Sequence, residues 1–387
     1  MIAPAPLILR PARAVLPGGV VDHPSISLVG GRIAEAAPAG ATVVDLPGLT
    51  LLPGFLDLHV HGAAGRDFMD ASPDAIRAIC RLHARHGTTG LLATTMTQSR
   101  ARIDAALACA RDAAQGGAGW CPDGAQVLGI HLEGPYISPE KPGAQPAGHV
   151  RDHVPGEFDD WLRIADGTLR RITLAPERPG ADTLLQACRA AGIVVSLGHT
   201  DADSGCVRAT LDNGPCDATH CFNAMNGIHH RRPGPIPVFL THPSAAIELI
   251  CDGFHVAPEV VALAVAARGT ERTIAITDAM AGAGAGDGIY DLGGNRVTVA
   301  GGKALLDDGT LAGSVLTMDR AAANLRAWCG LDWNAIARVT STNAADRMGW
   351  PAKGRIAPGC DADLVAVDDA MRVHATWVAG RPIEDSL

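Results

Sequence analysis

The chain has 387 residues, 47% apolar and 19% charged, with a formal net charge of −9. That length can bury a sizeable core, no run approaches the roughly 20 continuous apolar residues of a membrane helix, and the acidic balance argues against nucleic acid or an anionic membrane as partner. The ten cysteines are scattered without a C-x-x-C pair, which suits reduced thiols, and the N-terminal MIAPAPLILRPARAVLPGG lacks the basic-then-apolar order of a secretory leader, so a soluble cytoplasmic protein is expected.

Residues 1–53 hold short strand candidates, LILRPARAV, SISLVGGRIAEAA and ATVVDLPGLTLLPG, separated by glycine and proline and without a helical period. Eight apolar runs rich in β-branched residues follow: GFLDLHV (54–60), TTGLLATTM (88–96), QVLGIHLEG (126–134), LRRITLAPE (169–177), GIVVSLGHT (192–200), CDATHCFN (216–223), AAIELICDG (245–253) and RTIAITDAM (272–280). Helical patterns lie between them. In SPDAIRAICRLHARHG, Ser72 can cap the start, Pro73 fits the first turn and Gly87 ends the helix; ADTLLQACRAAG and APEVVALAVAARG repeat this grammar.

Strand and helix alternating eight times predict a (β/α)8 barrel of the TIM type. The alternative is an open doubly wound sheet, which would more often place a G-x-G-x-x-G turn after its first strand, where this chain has histidines. Residues 353–387 return to short strands, KGRIAPGCDADLVAVDDAMRVHATWVAGRPI. Neither end can bury a core alone, so 1–53 and 353–387 are expected to pair into one small β-sandwich domain beside a barrel of residues 54–352.

Barrel active sites are built at the C-terminal ends of the strands. There stand His59 and His61 on the first strand, Glu133 on the third, His199 on the fifth, His220 on the sixth and Asp278 on the eighth. Any one of them alone would be an ordinary strand-end cap. Four imidazoles and two carboxylates converging on one rim form a donor set for zinc or a related divalent ion, and burying them together without a cation would be costly. His59 and His61 are two apart on a strand, so both point into the mouth. Of the other histidines, His83 and His86 read as surface residues of a helix and His131 as a barrel-core residue.

The segments PGFLDLHVHG, HLEGPYISPEKPGAQP, SLGHTDA, THCFNAMNGIHHRRPG, CDGFHV, TDAMAGAG and LAGSVLTM together resemble the N-acetylglucosamine-6-phosphate deacetylases of the amidohydrolase superfamily. The resemblance runs in order from about residue 50 to 320, and the flanking strands resemble that family's small second domain. H-x-H is specific only to the superfamily, whereas HLEGP, GHTDA and THCFNAM are specific to the deacetylases. The resemblance implies hydrolysis of an N-acetyl amino-sugar phosphate to acetate and the free amine. It implies a main metal site on Glu133, His199 and His220, with Asp278 taking a proton from the attacking water and handing it to the departing nitrogen. His59 and His61 are candidates for a second ion. Zinc leads, with iron, manganese or cobalt open to the same donors, one or two ions per subunit.

Many two-metal amidohydrolases bridge their ions with a carboxylated lysine, but Lys141, Lys303 and Lys353 are the only lysines and none ends a barrel strand, so Glu133 must supply any bridge. The resemblance further implies Gln145, Asn223, Ala224, Arg231, His255 and the Leu311, Ala312, Gly313 segment as substrate contacts. Arg231 carries charge for the phosphate, and Arg231 and His255 reach across a homodimer interface. The epimeric galactosamine phosphate is the open alternative substrate.

Overall fold

Each of the eight apolar runs forms a strand in the computed structural model, which describes residues 4–383; residues 1–3 and 384–387 of the expected small domain lie outside the described residues. In order the strands are Phe55–Val60, Thr88–Thr94, Gln126–Glu133, Leu169–Leu174, Val194–Leu197, Asp217–Ala218, Ala246–Ile250 and Thr273–Ile276, all parallel and each paired with its sequence neighbour. Strands covered by helices outside and by packed side chains inside must be apolar on both faces. The first, second, seventh and eighth are accordingly buried at every position.

The barrel closes between its first and eighth strands. Asp278 N–H donates to the His59 carbonyl (2.9 Å) and His61 N–H to the Ala279 carbonyl (2.8 Å). Below them the Asp57 carboxylate accepts from the Thr277 hydroxyl at 2.5 Å and from Thr277 N–H at 3.3 Å. This seam sets the first strand's histidines beside Asp278.

The first outer helix, Pro73–Arg85, starts after Ser72 with Pro73 in its first turn, and Gly87 leaves it at φ +82°. Ser72 caps through its backbone only, without a side-chain hydrogen bond. The helix buries Ala75, Ile76, Ile79, Cys80, His83 and Ala84. His83 therefore lies in the core, contrary to the surface position expected; it falls at i+3 and i+4 from Cys80 and Ile79, on the apolar stripe. His131 is buried in the barrel interior, bonded to the Leu58 carbonyl and the Thr173 hydroxyl.

Both chain ends enter a second eight-stranded sheet. Leu364–Val367 runs antiparallel to the end of Thr42–Pro53, and Thr42–Pro53 runs parallel to Leu7–Leu16 with a register shift between Pro11 and Arg13. The sheet has its own buried cluster, including Leu9, Leu28, Leu51, Leu364 and Trp377. Gly54 alone separates Thr42–Pro53 from the first barrel strand.

Beyond the expected alternation, the chain after the eighth strand forms a three-stranded antiparallel meander, Gly288–Leu292, Asn295–Ala300 and Lys303–Leu305. Its turns are the Gly293-Gly294 and Gly301-Gly302 pairs, all at positive φ, the two-residue hairpin chemistry that glycine permits. The Asn295 amide donates to the Ala144 carbonyl at 2.9 Å, tying the meander to the loop after the third strand. Among the described residues, no helix is long and apolar enough to cross a membrane.

Candidate active site

Six side chains from five strand ends meet in the barrel mouth. Glu133 is at the centre: its Oε1 lies 3.3 Å from His199 Nε2 and 3.2 Å from His220 Nε2, and those two nitrogens are 3.1 Å apart. On its other side, Glu133 Oε1 is 3.3 Å from His59 Nε2 and Oε2 is 3.2 Å from His61 Nε2, with the two imidazole nitrogens 3.3 Å apart. Asp278 Oδ1 stands 3.2 Å from His61 Nε2 and 3.5 Å from His59 Nε2.

These spacings fit a cation. Donors at zinc bond lengths of about 2.0–2.1 Å in a tetrahedron lie about 3.3–3.4 Å apart along each edge, and both groups, Glu133/His199/His220 and His59/His61/Glu133, have edges of that size. Each group offers three protein ligands and leaves a position for water or substrate, the pattern of a catalytic site. Glu133 belongs to both groups. The lysines stay out of the mouth: Lys141 contributes its carbonyl to His199 Nδ1 at 3.0 Å, Lys303 lies over the Phe254 ring, and Lys353 pairs with Asp361 and Asp363.

Backbone conformation helps to place these side chains. His199, His220 and Asp278 all sit at positive φ, 48°, 30° and 50°, a left-handed conformation that costs an L residue roughly 1–2 kcal/mol. Such strain persists where the surroundings dictate it and concentrates at functional sites. Here it falls on three of the six residues.

The electrostatics of the cluster follow from its crowding. Burial alone would depress the His61 pKa, yet hydrogen bonding and charge from Asp278 and Glu133 lift it to about 9. Burial likewise opposes ionisation of Asp278, but the positive charge at His59 and His61 pulls it down to about 2. Glu133 is held well below the usual carboxylate range by His59, His199 and His220 despite its burial. The surrounding imidazoles thus hold both carboxylates in their ionised form.

A cavity of about 190 Å³ opens over this cluster. His61, Glu133, Gln145, His199, His220, Asn223, Ala224, His255, Asp278, Leu311 and Gly313 line it. Gln145 donates from Nε2 to Glu133 Oε2 at 2.6 Å, and its oxygen accepts from Thr97 N–H at 2.7 Å. His255, expected to reach across to a partner subunit, faces the pocket of its own chain, with Nδ1 2.7 Å from Asp252 Oδ2. Ala312 is fully buried and does not line the pocket, its N–H bonded to the Ala304 carbonyl. Arg231 is outside the pocket on the exposed loop 229–232, against His230.

Several residues around the site escaped the sequence reading. Met96, Gly143, Ala144, Leu292 and Thr310 also line the pocket; Leu292 comes from the meander, whose glycine-pair turns were the available signal. Glu248, on the seventh strand, is fully buried beneath the site. Its Oε2 lies 3.5 Å from His59 Nδ1 and 3.3 Å from His220 N, and its Oε1 pairs with buried Arg171 at 2.8 Å. Arg171 in turn pairs with Asp217 at 2.6 Å. A charge inside an apolar strand signals such a network only once its partner strands are placed.

The family model described as Amidohydrolase family matches residues 50–383. The chain is 42% identical over 333 residues to an N-acetylglucosamine-6-phosphate deacetylase of Bacillus subtilis (strain 168), covering 85% of this chain and 83% of that one. It is 36% identical over 375 residues to an N-acetylgalactosamine-6-phosphate deacetylase of Escherichia coli O157:H7, covering 97% and 98%. Among solved structures, an N-acetyl-D-glucosamine-6-phosphate deacetylase of Mycobacterium smegmatis, an aspartate-to-alanine mutant in complex with N-acetyl-D-glucosamine-6-phosphate, superposes with a TM-score of 0.91 at 33% identity, over 98% of this chain and 100% of that one. With similarity of this extent along nearly its whole length, the chain belongs to the amidohydrolase family.

Proposed function

We propose that the chain hydrolyses the N-acetyl group of N-acetylglucosamine 6-phosphate, giving glucosamine 6-phosphate and acetate. The observation that carries this reading is the position of Asp278, an ionised carboxylate 3.2 Å from His61 Nε2, on the rim of a cavity that also holds the Glu133, His199 and His220 donor set. Glu133, His199 and His220 would hold a divalent ion, zinc by the chemistry of the ligands, which would supply an acidified water and polarise the amide carbonyl. Asp278 takes the proton of the water as it attacks the acetamide carbonyl. It then returns that proton to the nitrogen, which must be protonated to leave.

His59 and His61 offer a second ion a place beside Glu133, and Gln145, Asn223, Ala224, His255, Leu311 and Gly313 border the space left for the sugar. The reading assigns residues 54–352 to the catalytic barrel and residues 1–53 with 353–387 to a small supporting domain. It places the enzyme in the cytoplasm as a homodimer, in which the exposed Arg231 meets the phosphate of a substrate in the partner's site.

A second reading, deacetylation of the galactosamine epimer, is favoured by the similarity to the Escherichia coli N-acetylgalactosamine-6-phosphate deacetylase. Acetate release from both phosphates and from unphosphorylated N-acetylglucosamine separates these. The proposal expects the highest kcat/KM for N-acetylglucosamine 6-phosphate. Preference for the galactosamine phosphate selects the second reading, and equal rates with and without the phosphate remove the role given to Arg231.

A further inference from the structure

We propose that Glu248 is a positioning residue for the His59/His61 ion site, fixing the His59 ring so that Nε2 carries the lone pair that binds metal. The inference rests on the metal-dependent reading above and concerns a residue two layers below the reacting groups.

A histidine can ligate through Nε2 only when its proton resides on Nδ1, and the group hydrogen-bonded to Nδ1 decides this. The four candidate ligand histidines differ in that respect. His199 Nδ1 faces the Lys141 carbonyl at 3.0 Å, a backbone acceptor. His61 Nδ1 and His220 Nδ1 are buried without a hydrogen-bond partner. His59 alone has a side-chain acceptor at Nδ1, Glu248 Oε2 at 3.5 Å.

Glu248 is itself part of a buried ionic network. Arg171 holds its other oxygen at 2.8 Å, Asp217 holds Arg171 at 2.6 Å, and Arg347 pairs with Asp217 at 2.7 Å. The Glu248 carboxylate also accepts from His220 N–H, and its carbonyl accepts from Cys221 N–H at 2.8 Å. The same group therefore touches one residue of each donor set, at an imidazole ring on one side and at backbone on the other. Because only a ring changes tautomer, its effect on which ligand nitrogen carries a proton runs through His59.

The replacement Glu248→Gln tests this. With its oxygen toward the Arg171 donor, the new amide presents N–H to His59 Nδ1, which must then accept, moving the proton to Nε2 and blocking that ligand. Zn²⁺ is titrated into the metal-free chain against a chromophoric chelator, with thermal unfolding as a check on folding. Glu248→Gln is expected to weaken Zn²⁺ at the His59/His61 site about 10- to 100-fold, the usual effect of losing an outer-shell partner, and to cause no further change in a His59→Asn background.

Unchanged Zn²⁺ affinity, or an equal loss in both backgrounds, overturns the proposal, as does a wild-type chain whose Zn²⁺ binding is indifferent to His59→Asn. If Glu248→Gln does not fold, Glu248→Asp, which keeps a charge facing Arg171, must show the same His59-dependent loss. A wild-type chain that binds no Zn²⁺ at all refutes the metal-dependent reading itself and the inference with it.

Discussion

The Gln145 amide donates to Glu133 Oε2 across 2.6 Å, and Thr97 N–H fixes the amide's orientation by donating to its oxygen at 2.7 Å. Gln145 thus holds the carboxylate shared by both donor sets. Gln145→Leu removes a charge-assisted bond worth about 1.5–3 kcal/mol and leaves Thr97 N–H unpaired. The expected outcome is a 10- to 100-fold weaker hold on divalent metal, read by elemental analysis after dialysis against a weak chelator. Full metal content would limit Gln145 to substrate contact.

Asp278→Asn keeps the shape of the rim but removes the proposed proton carrier. Metal content is expected to persist through Glu133, His199 and His220, while acetate release falls by about 10²- to 10⁴-fold, the range of general acid–base catalysis. Stopped acetate assays on the metal-replete variant measure this, and near-normal turnover would show that another group moves the proton.

Arg171 is fully buried between Asp217 and Glu248. Removing one member of a buried ionic network strands the others, at a cost of about 3–5 kcal/mol. Arg171→Met should lower stability by that amount in urea titrations at pH 7. A loss within experimental error would mean that the two carboxylates find protons or other partners at little cost.

His83 supplies a pH dependence away from the site. Burial pushes its pKa down to about 4 from the ordinary 6.5, so the unfolded chain takes up the proton first as the pH falls. Above pH 6.5 the ring is neutral in both states and adds no pH dependence, and the folded state loses stability progressively from there to pH 4, by on the order of 3 kcal/mol. His83→Leu should flatten the fall in urea midpoint between pH 7 and pH 4.5 relative to wild type. An unchanged difference between those two pH values would place the acid sensitivity elsewhere.

The barrel was legible because eight apolar runs rich in β-branched residues alternate with helical patterns along the chain. The ligands were legible because each ends a strand, where a polar residue after an apolar run stands out. What stayed hidden depends on neighbours that are remote in sequence. Glu248 lies within AIELI, Arg171 within LRRITL and Asp217 at the start of a two-residue strand, and each reads as a stray charge until the barrel brings them together. His83 was readable, since Ile76, Ile79, Cys80 and His83 share one helical stripe, but polarity outweighed periodicity. His255 lines its own chain's pocket and pairs with Asp252, which no spacing in the sequence reveals.

The most direct test of the account is acetate release from N-acetylglucosamine 6-phosphate by metal-stripped chain during titration with Zn²⁺. Negligible release is expected without metal, with activity rising to a plateau at one or two ions per chain and lost in His199→Asn. Full activity in the stripped chain, or no acetate at any metal loading, would contradict it.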